Sequence, residues 1–168
     1  GLTKSLHQED FYKVNTEGTI NLVKALINLQ MPIHKFVYLS SLSIFGAIRE
    51  QAPYQEINEH DHPKPNTIYG KSKLLAEQFI CSVGNNFPYV ILRPTGVYGP
   101  RERDYFMMAQ SVKNHIDFSA GFKQQDITFV YVKDVVQAIF LTFNHGMNGR
   151  KYFLTDGKVY SASDFSQL

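Results

Sequence analysis

The sequence predicts an α/β protein with a parallel sheet, because strand-like and helix-like segments alternate along the chain. Short apolar runs rich in β-branched and aromatic residues, as at 35–39 and 89–92, are typical of strands buried on both faces. Longer segments with apolar residues three or four positions apart are typical of helices that cover such a sheet. This alternation favours parallel strands joined by right-handed crossovers. With 168 residues, 43% hydrophobic and 14% aromatic, the chain can bury the core of one domain of ordinary size.

The elements follow one another in chain order. In the first half we expect a helix over 15–29, a strand over 35–39, a loop over 46–67, a helix over 68–83 and a strand over 89–92. In the second half we expect a helix over 105–114, a strand over 128–131, a helix over 135–144 and a strand over 151–154. Ser161 is expected to cap a final helix by accepting a backbone N–H. The loop is rich in proline and charge, and its length suits a segment that covers a site.

A tyrosine and a lysine stand one helical turn apart at the start of the second predicted helix. Tyr69 and Lys73 occupy positions i and i+4, which share a helix face with Cβ atoms about 5–6 Å apart. The ammonium is expected to favour the phenolate and lower the pKa of Tyr69 from about 10, as a proton-transferring base requires. The spacing alone equally fits a packed tyrosine beside a solvated lysine, so the neighbouring sequence decides between the two interpretations.

Two predicted strand ends bracket this helix. Ser40, Ser41 and Ser43 follow the strand at 35–39, and the run R-P-T-G-V-Y-G-P follows the strand at 89–92. Ligands of open α/β sheets bind where strands end. The position of the Tyr69 helix between two such ends therefore indicates a functional site.

Six segments, taken in order, carry a resemblance to a known family. They are N-T-E-G-T-I-N-L at 15–22, F-V-Y-L-S-S-L-S-I-F-G at 36–46, Y-G-K-S-K at 69–73 with Glu59 and Pro65 before it, L-R-P at 92–94, V-Y-G-P at 97–100 and F-V-Y-V-K-D-V at 129–135. Together they resemble the extended short-chain dehydrogenases/reductases, the NAD-dependent epimerase/dehydratase family. The resemblance implies a partial Rossmann fold, a doubly wound parallel sheet, followed by the start of a C-terminal substrate-binding region. It places the C-terminal half of the dinucleotide-binding domain at 1–97 and the substrate-binding region at 98–168, interleaved with a late Rossmann segment at about 126–145.

The resemblance also implies a role for each matching residue. Tyr69 would be the catalytic acid/base, Lys73 its electrostatic partner, and Ser41, by alignment back from Gly46, would orient the reacting oxygen, with Ser40 and Ser43 as the neighbouring alternatives. Contacts with the cofactor, NAD or NADP, are expected from Tyr69, Lys73, Ser40, Pro94, Gly96 and Val97. Contacts with the substrate are expected from Ser43, Tyr98 and Tyr105, and Asn15 would support a kinked backbone near the site.

The implied reaction is hydride transfer at a carbinol or ketone of a small-molecule substrate, with the proton passing through Tyr69. Epimerases, dehydratases and reductases share this half-reaction, so the outcome stays open. Nucleotide-sugar enzymes of the family hold phosphate with an asparagine and an arginine, and the matching positions here are Gly96 and Ile127. The absence of this asparagine and arginine favours a small or apolar carbonyl compound as substrate, as in the dihydroflavonol-reductase-like and hydroxysteroid-dehydrogenase-like branches. The alternative is that a nearby basic residue contacts the phosphate instead: Arg101, Arg103 or Lys123.

Two further expectations concern the chain as an enzyme. A non-catalytic dinucleotide-binding regulator is the alternative class, and the presence of both Tyr69 and Lys73 argues against it. The sequence contains no glycine-rich turn for the dinucleotide pyrophosphate. We therefore expect a fragment truncated at both ends, lacking roughly 60–80 residues upstream, and inactive and unable to bind NAD tightly by itself.

Composition and charge limit the classes of partner and the cellular compartment that we expect. A net charge of +2, from 17 basic and 15 acidic residues, does not favour a nucleic-acid surface. The single cysteine, Cys81, fits a reducing cytoplasm, and the sequence has no apolar run long enough to span a membrane. The run His60-Asp61-His62 lacks a further ligand at a recurring spacing, so no metal site is expected. The resemblance implies a homodimer formed through the helices at 15–29 and 68–83.

Overall fold

The computed structural model describes residues 1–48, 55–84, 87–113, 126–161 and 164. Two compact units make up the chain. The first consists of Gly1–Arg93 and Ile139–Phe153, and the second of Pro94–Ala138 and Leu154–Leu168.

Helices and short strands alternate along the described residues. The helices are α1 (Gln8–Phe11), a π-helical segment (Tyr12–Glu17), α2 (Gly18–Asn28), a 3-10 turn (Leu42–Ile44), α3 (Ile68–Ser82), α4 (Asp104–Lys113) and α5 (Val132–His145). The strands are β1 (Phe36–Leu39), β2 (Tyr89–Pro94), β3 (Gly96–Tyr98), β4 (Asp126–Ile127), β5 (Phe129–Tyr131), β6 (Lys151–Leu154) and β7 (Tyr160–Ser161).

The main sheet has the strand order β1, β2, β6. β1 and β2 run parallel, with Phe36 opposite Tyr89 and Leu39 opposite Leu92. Helices α2 and α3 pack on this sheet around a core of apolar residues that exclude water: Val23, Tyr38, Ala76, Ile80, Phe87 and Ile91. The predicted α/β architecture with a parallel sheet is thus what the first unit forms.

The second unit contains two small two-stranded sheets. β3 and β5 are parallel, with Gly96 opposite Phe129, whereas β4 and β7 are antiparallel. Rings from Tyr98, Tyr105, Phe129, Tyr131 and Tyr160 contact one another in this unit. The short strands β3, β4 and β7 were not expected from the sequence, because two- or three-residue strands carry no recognisable periodicity.

The helix expected at 15–29 begins earlier than predicted, at Gln8. Asn15 is a residue type that commonly caps helices, but its side chain bonds the backbone of Leu2 and the hydroxyl of Ser72 instead. The chain therefore stays helical through Asn15, with one π-helical segment. α5 also begins three residues earlier than expected, at Val132, so Asp134 lies inside its first turn.

The described parts of the expected loop, 46–48 and 55–67, contain no helix or strand, and residues 49–54 lie outside the described residues. The His60-Asp61-His62 run forms a turn, in which Asn58 accepts from the His60 N–H and Asp61 accepts from the Asn58 N–H. Of the helix expected after Ser161, only Asp164 is described. Within the described residues, no helix is long and apolar enough to cross a membrane.

Candidate active site

Helix α3 presents Tyr69 and Lys73 one turn apart, as the sequence predicted. Thr67 precedes the helix in an extended conformation, and its hydroxyl accepts a hydrogen bond from the Gly70 N–H at 3.0 Å. This N-cap fixes the first turn. The start of α3, and hence the position of Tyr69, is set by the residue directly before the helix.

Two glycines let the start of α3 lie against the end of β1. A Cβ atom at Gly70 would collide with the carbonyl oxygen of Ser43, so a residue with a side chain would push the helix away. Gly46 has a φ of +59°, and a Cβ there would collide with the carbonyl oxygen of Lys64. The close approach brings the serines after β1 beside the first turn of α3.

The three candidate serines differ in their environments. The Ser41 hydroxyl lies beside Tyr69, whose pKa it acts to lower, and accepts from the Ser43 N–H at 3.2 Å. Ser43 is exposed, and its hydroxyl accepts from that of Ser41 at 3.1 Å. The Ser40 hydroxyl is buried and has no hydrogen-bond partner among the described residues. The contact with Tyr69 favours Ser41 over its neighbours as the residue that orients a reacting oxygen.

The acid–base balance at Tyr69 differs from the expectation. Burial raises the pKa of the Tyr69 hydroxyl, and the neighbouring Ser41 hydroxyl only partly opposes this rise. The predicted lowering of the Tyr69 pKa by the Lys73 charge is therefore wrong for the protein without ligands. Desolvation disfavours the phenolate more than the neighbouring groups favour it.

Lys73 is itself buried, with 6% of its surface exposed. Its Nζ donates to the carbonyl oxygen of Leu39 at 2.8 Å and lies 4.9 Å from the centre of the Tyr38 ring. Burial lowers the pKa of Lys73 to about 8, and the charge of Glu77 acts in the opposite direction. The ammonium is thus held at the end of β1 and is close to losing its proton at mildly alkaline pH.

Asn15 connects the π-helical segment to α3. Its Nδ2 donates to the Ser72 hydroxyl at 3.0 Å and to the Leu2 carbonyl at 2.9 Å, and its Oδ1 accepts from the Leu2 N–H at 2.7 Å. Thr16 donates to the Ser72 carbonyl at 2.8 Å. Because Ser72 directly precedes Lys73, these bonds fix the backbone that carries the lysine.

A buried ion pair that was not predicted from the sequence joins α3 to β2. Arg93 donates from Nε and Nη2 to the two carboxylate oxygens of Glu77, at 3.1 and 2.7 Å. Both side chains are almost fully buried. A sequence signal existed, because Arg93 interrupts an apolar strand and Glu77 follows Lys73 by one helical turn.

The remaining candidate residues lie in or at the start of the second unit. Pro94 ends β2, and Gly96, Val97 and Tyr98 form β3. A Cβ at Gly96 would lie 2.6 Å from the Tyr105 hydroxyl oxygen and 3.0 Å from the Phe129 ring, so these aromatic rings occupy the space of a side chain at position 96. The Tyr105 ring meets Phe129 edge-on, with centroids 4.9 Å apart.

Comparison with protein families identifies the family to which this chain belongs. The NAD-dependent epimerase/dehydratase family profile matches residues 2–155. The chain belongs to this family. The family resemblance predicted from the sequence is thereby confirmed, and so is the Rossmann-like α/β fold.

Relatives within the epimerase/dehydratase family act on different substrates. The chain is 29% identical over 151 residues to dTDP-D-glucose 4,6-dehydratase of Mus musculus, covering 85% of this chain and 40% of the relative. It is 27% identical over 183 residues to 3-beta-hydroxysteroid dehydrogenase of Mycolicibacterium neoaurum, covering 99% and 47%. The crystal structure of ADP-L-glycero-D-manno-heptose-6-epimerase of Helicobacter pylori superimposes with a TM-score of 0.73 at 28% identity, covering 97% of this chain and 52% of that one. The chain spans about half the length of these relatives.

Polar groups at the end of β1 in the first unit fit a polar ligand such as the family's dinucleotide. The buried Ser40 hydroxyl lacks a partner among the described residues, as expected of a group that awaits a ligand. An ammonium has three N–H donors, and Leu39 is the acceptor that the described chain supplies to Lys73. Both groups lie at the carboxyl end of β1, where ligands of such sheets bind.

Proposed function

We propose that the complete protein is an NAD(P)-dependent oxidoreductase that acts at a carbinol or ketone of a small molecule, with Tyr69 as the acid/base. The contact that carries the proposal is the one between the Ser41 hydroxyl and Tyr69. It places a phenol and a hydroxyl side by side at the end of a parallel strand, with Lys73 one turn along α3. A carbonyl oxygen of the substrate would bind between the two hydroxyl groups.

The bound cofactor would supply or accept the hydride. In the reducing direction, Tyr69 donates its phenolic proton to the carbonyl oxygen while Ser41 holds that oxygen by a hydrogen bond. The raised pKa of Tyr69 keeps the phenol protonated at neutral pH, which suits this direction. In the oxidising direction the phenol must first lose its proton, and a positive charge on Lys73 would favour the phenolate.

The substitution Tyr69→Phe tests the proposed role of the phenol. It removes the acidic hydroxyl and keeps the ring, so turnover should fall by 10² or more, since acid–base catalysis contributes typically 10²–10⁴-fold. Binding of the cofactor, followed by fluorescence titration of the complete protein, should change little. Full turnover in Tyr69→Phe would contradict the proposal, and Tyr12, a half-buried residue of the π-helical segment with no assigned role in the site, provides a matched Tyr→Phe control.

The second unit favours an apolar carbonyl compound over a nucleotide sugar as substrate. The Tyr105 hydroxyl and the Phe129 ring stand where a side chain at position 96 would lie, so a phosphate-binding asparagine there would require Tyr105 to move. Ile127, at the other phosphate-binding position, lies in β4. A pocket with these residues would offer aromatic and apolar surface and lack both charge-assisted contacts to a diphosphate.

The proposed assembly is a homodimer. On the first unit, α2 exposes Leu22 and Ile27, by 52% and 42%, and α3 exposes Leu75 by 44%. These apolar side chains lie on the two helices that the family resemblance assigns to a dimer interface. A two-fold pairing would remove the exposed apolar surface from water.

A further inference from the structure

The Glu77–Arg93 pair is held from several directions. Besides the two hydrogen bonds to Glu77, the Arg93 guanidinium lies 5.1 Å from the centre of the Phe45 ring and 5.6 Å from that of Phe153. A planar guanidinium stacks on aromatic rings and matches a carboxylate with two parallel bonds. Strand β2, the turn after β1 and strand β6 thus fix the orientation of the Glu77 carboxylate.

Core stability alone does not account for this pair. Desolvating two charges costs more than a surface ion pair returns, and well-packed apolar residues commonly replace such pairs without loss. Glu77 and Arg93 are 1% and 4% exposed, in a region otherwise filled by apolar side chains. A charged pair at this position therefore calls for a role other than packing.

The position of Glu77 indicates that role. It follows Lys73 by one turn on the same buried face of α3. Among the described residues, Tyr38 on β1 also faces Lys73, and burial raises the pKa of its hydroxyl, so Tyr38 is uncharged at neutral pH. Within the described residues, Glu77 is the group whose charge favours the ammonium of Lys73.

We propose that Glu77, fixed by Arg93, is a positioning residue that keeps Lys73 charged and holds its ammonium against the Leu39 carbonyl. This inference rests on the proposed function, because it assigns Glu77 a purpose through Lys73. Glu77 touches neither substrate nor cofactor in this role. An exposed lysine ammonium is stabilised by the surrounding water. In this buried site the Glu77 carboxylate takes over that role for Lys73.

The test is a titration of the Lys73 amine by NMR in the complete protein, with lysine labelled at Cε and Nζ and the Lys73 signal assigned from its loss in Lys73→Arg. Substituting Glu77 alone would leave the Arg93 charge buried without a partner. The variant is therefore Glu77→Gln combined with Arg93→Gln, which leaves no unpaired charge. An opposite charge nearby shifts a pKa by about 1–3 units. Because the double variant removes the guanidinium as well as the carboxylate, the Lys73 midpoint should fall by less than that, by about half a pH unit.

Lys71, exposed on the same helix, provides the matched control. Lys71→Gln removes a charge from α3 and should leave the Lys73 midpoint unchanged. If the amide pair does not fold, Glu77→Met with Arg93→Met fills the same space with apolar groups and should lower the midpoint in the same way. A Lys73 midpoint equal to that of the unsubstituted protein in a folded double variant would overturn the inference.

The titration also separates this inference from the proposed function, because it requires no turnover. In an active enzyme, the alkaline limb of the pH–rate profile should move to lower pH in the double variant, with the Lys71→Gln profile unchanged. An inactive protein whose Lys73 midpoint still depends on Glu77 would contradict the proposed function and leave the electrostatic coupling established.

Discussion

At the scale of single residues, burial outweighs charge at this site. The sequence spacing led us to expect that Lys73 would lower the pKa of Tyr69, yet burial raises it. The same burial lowers the pKa of Lys73 to about 8. A helical wheel shows which side chains share a face, but it contains no information on how much water surrounds them. Solvation is a property of the folded chain, so the direction of both shifts could not be obtained from the spacing.

The buried charge of Lys73 predicts a conflict between stability and function. The folded-state pKa of Lys73, about 8, lies below its ordinary value of 10.5, so the unfolded chain binds more protons between these pH values. Stability therefore rises with pH through this window, and the full penalty acts below about pH 8. Lys73→Met should abolish turnover and raise the free energy of unfolding at pH 7 by up to about 3 kcal/mol.

Denaturant unfolding at two pH values measures this effect. The increase in the free energy of unfolding caused by Lys73→Met should shrink to about 1 kcal/mol near pH 9.5, because the lysine of the unfolded chain also starts to lose its proton there. Lys71→Met, at an exposed position of the same helix, should change stability little at either pH. A Lys73→Met protein that is less stable at pH 7 would show that the bond to Leu39 outweighs the cost of burial.

At the scale of elements, the contact between α3 and the end of β1 depends on a glycine. The sequence predicted α3 nearly to its last residue, because its apolar spacing is a local signal. It did not predict how closely α3 approaches Ser43, because that distance depends on residues far apart in the chain. Gly70 belongs to the Y-G-K-S-K motif, and the structure gives the physical reason for its lack of a side chain.

Gly70→Ala should destabilise the protein by about 1–3 kcal/mol, because the new methyl group collides with a backbone carbonyl that has no room to move. Turnover should fall as well, since the displaced helix carries Tyr69 away from Ser41. Gly18→Ala is the matched control. Its Cβ would lie 3.6 Å from the Lys13 carbonyl, an ordinary contact, so this change within helix should stabilise by roughly 0.5–1 kcal/mol. Thermal unfolding of both variants measures the difference, and equal effects would contradict the close-approach argument.

At the scale of the whole molecule, the order of motifs predicted the family and the α/β fold, because each motif follows a strand or opens a helix. The sequence also indicated Tyr69, Lys73 and Ser41 as neighbours, and the structure brings the Ser41 hydroxyl to Tyr69. The Glu77–Arg93 pair was not predicted, because one residue lies on a helix and the other on a strand. Which sides of these two elements face each other is defined only in the folded chain. The rings of Tyr105 and Phe129 over Gly96 are a similar case, since position 105 has no fixed spacing from position 96.

The aromatic surroundings of Gly96 lead to a prediction about the substrate of the complete protein. With Tyr105 and Phe129 filling the space of a phosphate-binding side chain, steroid-like or other apolar ketones should be turned over with NADH or NADPH, and sugar nucleotides should not. Steady-state rates over a panel of both classes measure the preference, with Tyr69→Phe as the control for each substrate. Turnover of sugar nucleotides alone would show that charged residues elsewhere supply the phosphate contacts. Such a result would overturn the substrate assignment and leave the role of Tyr69 intact, because both substrate classes present the same carbinol to the phenol.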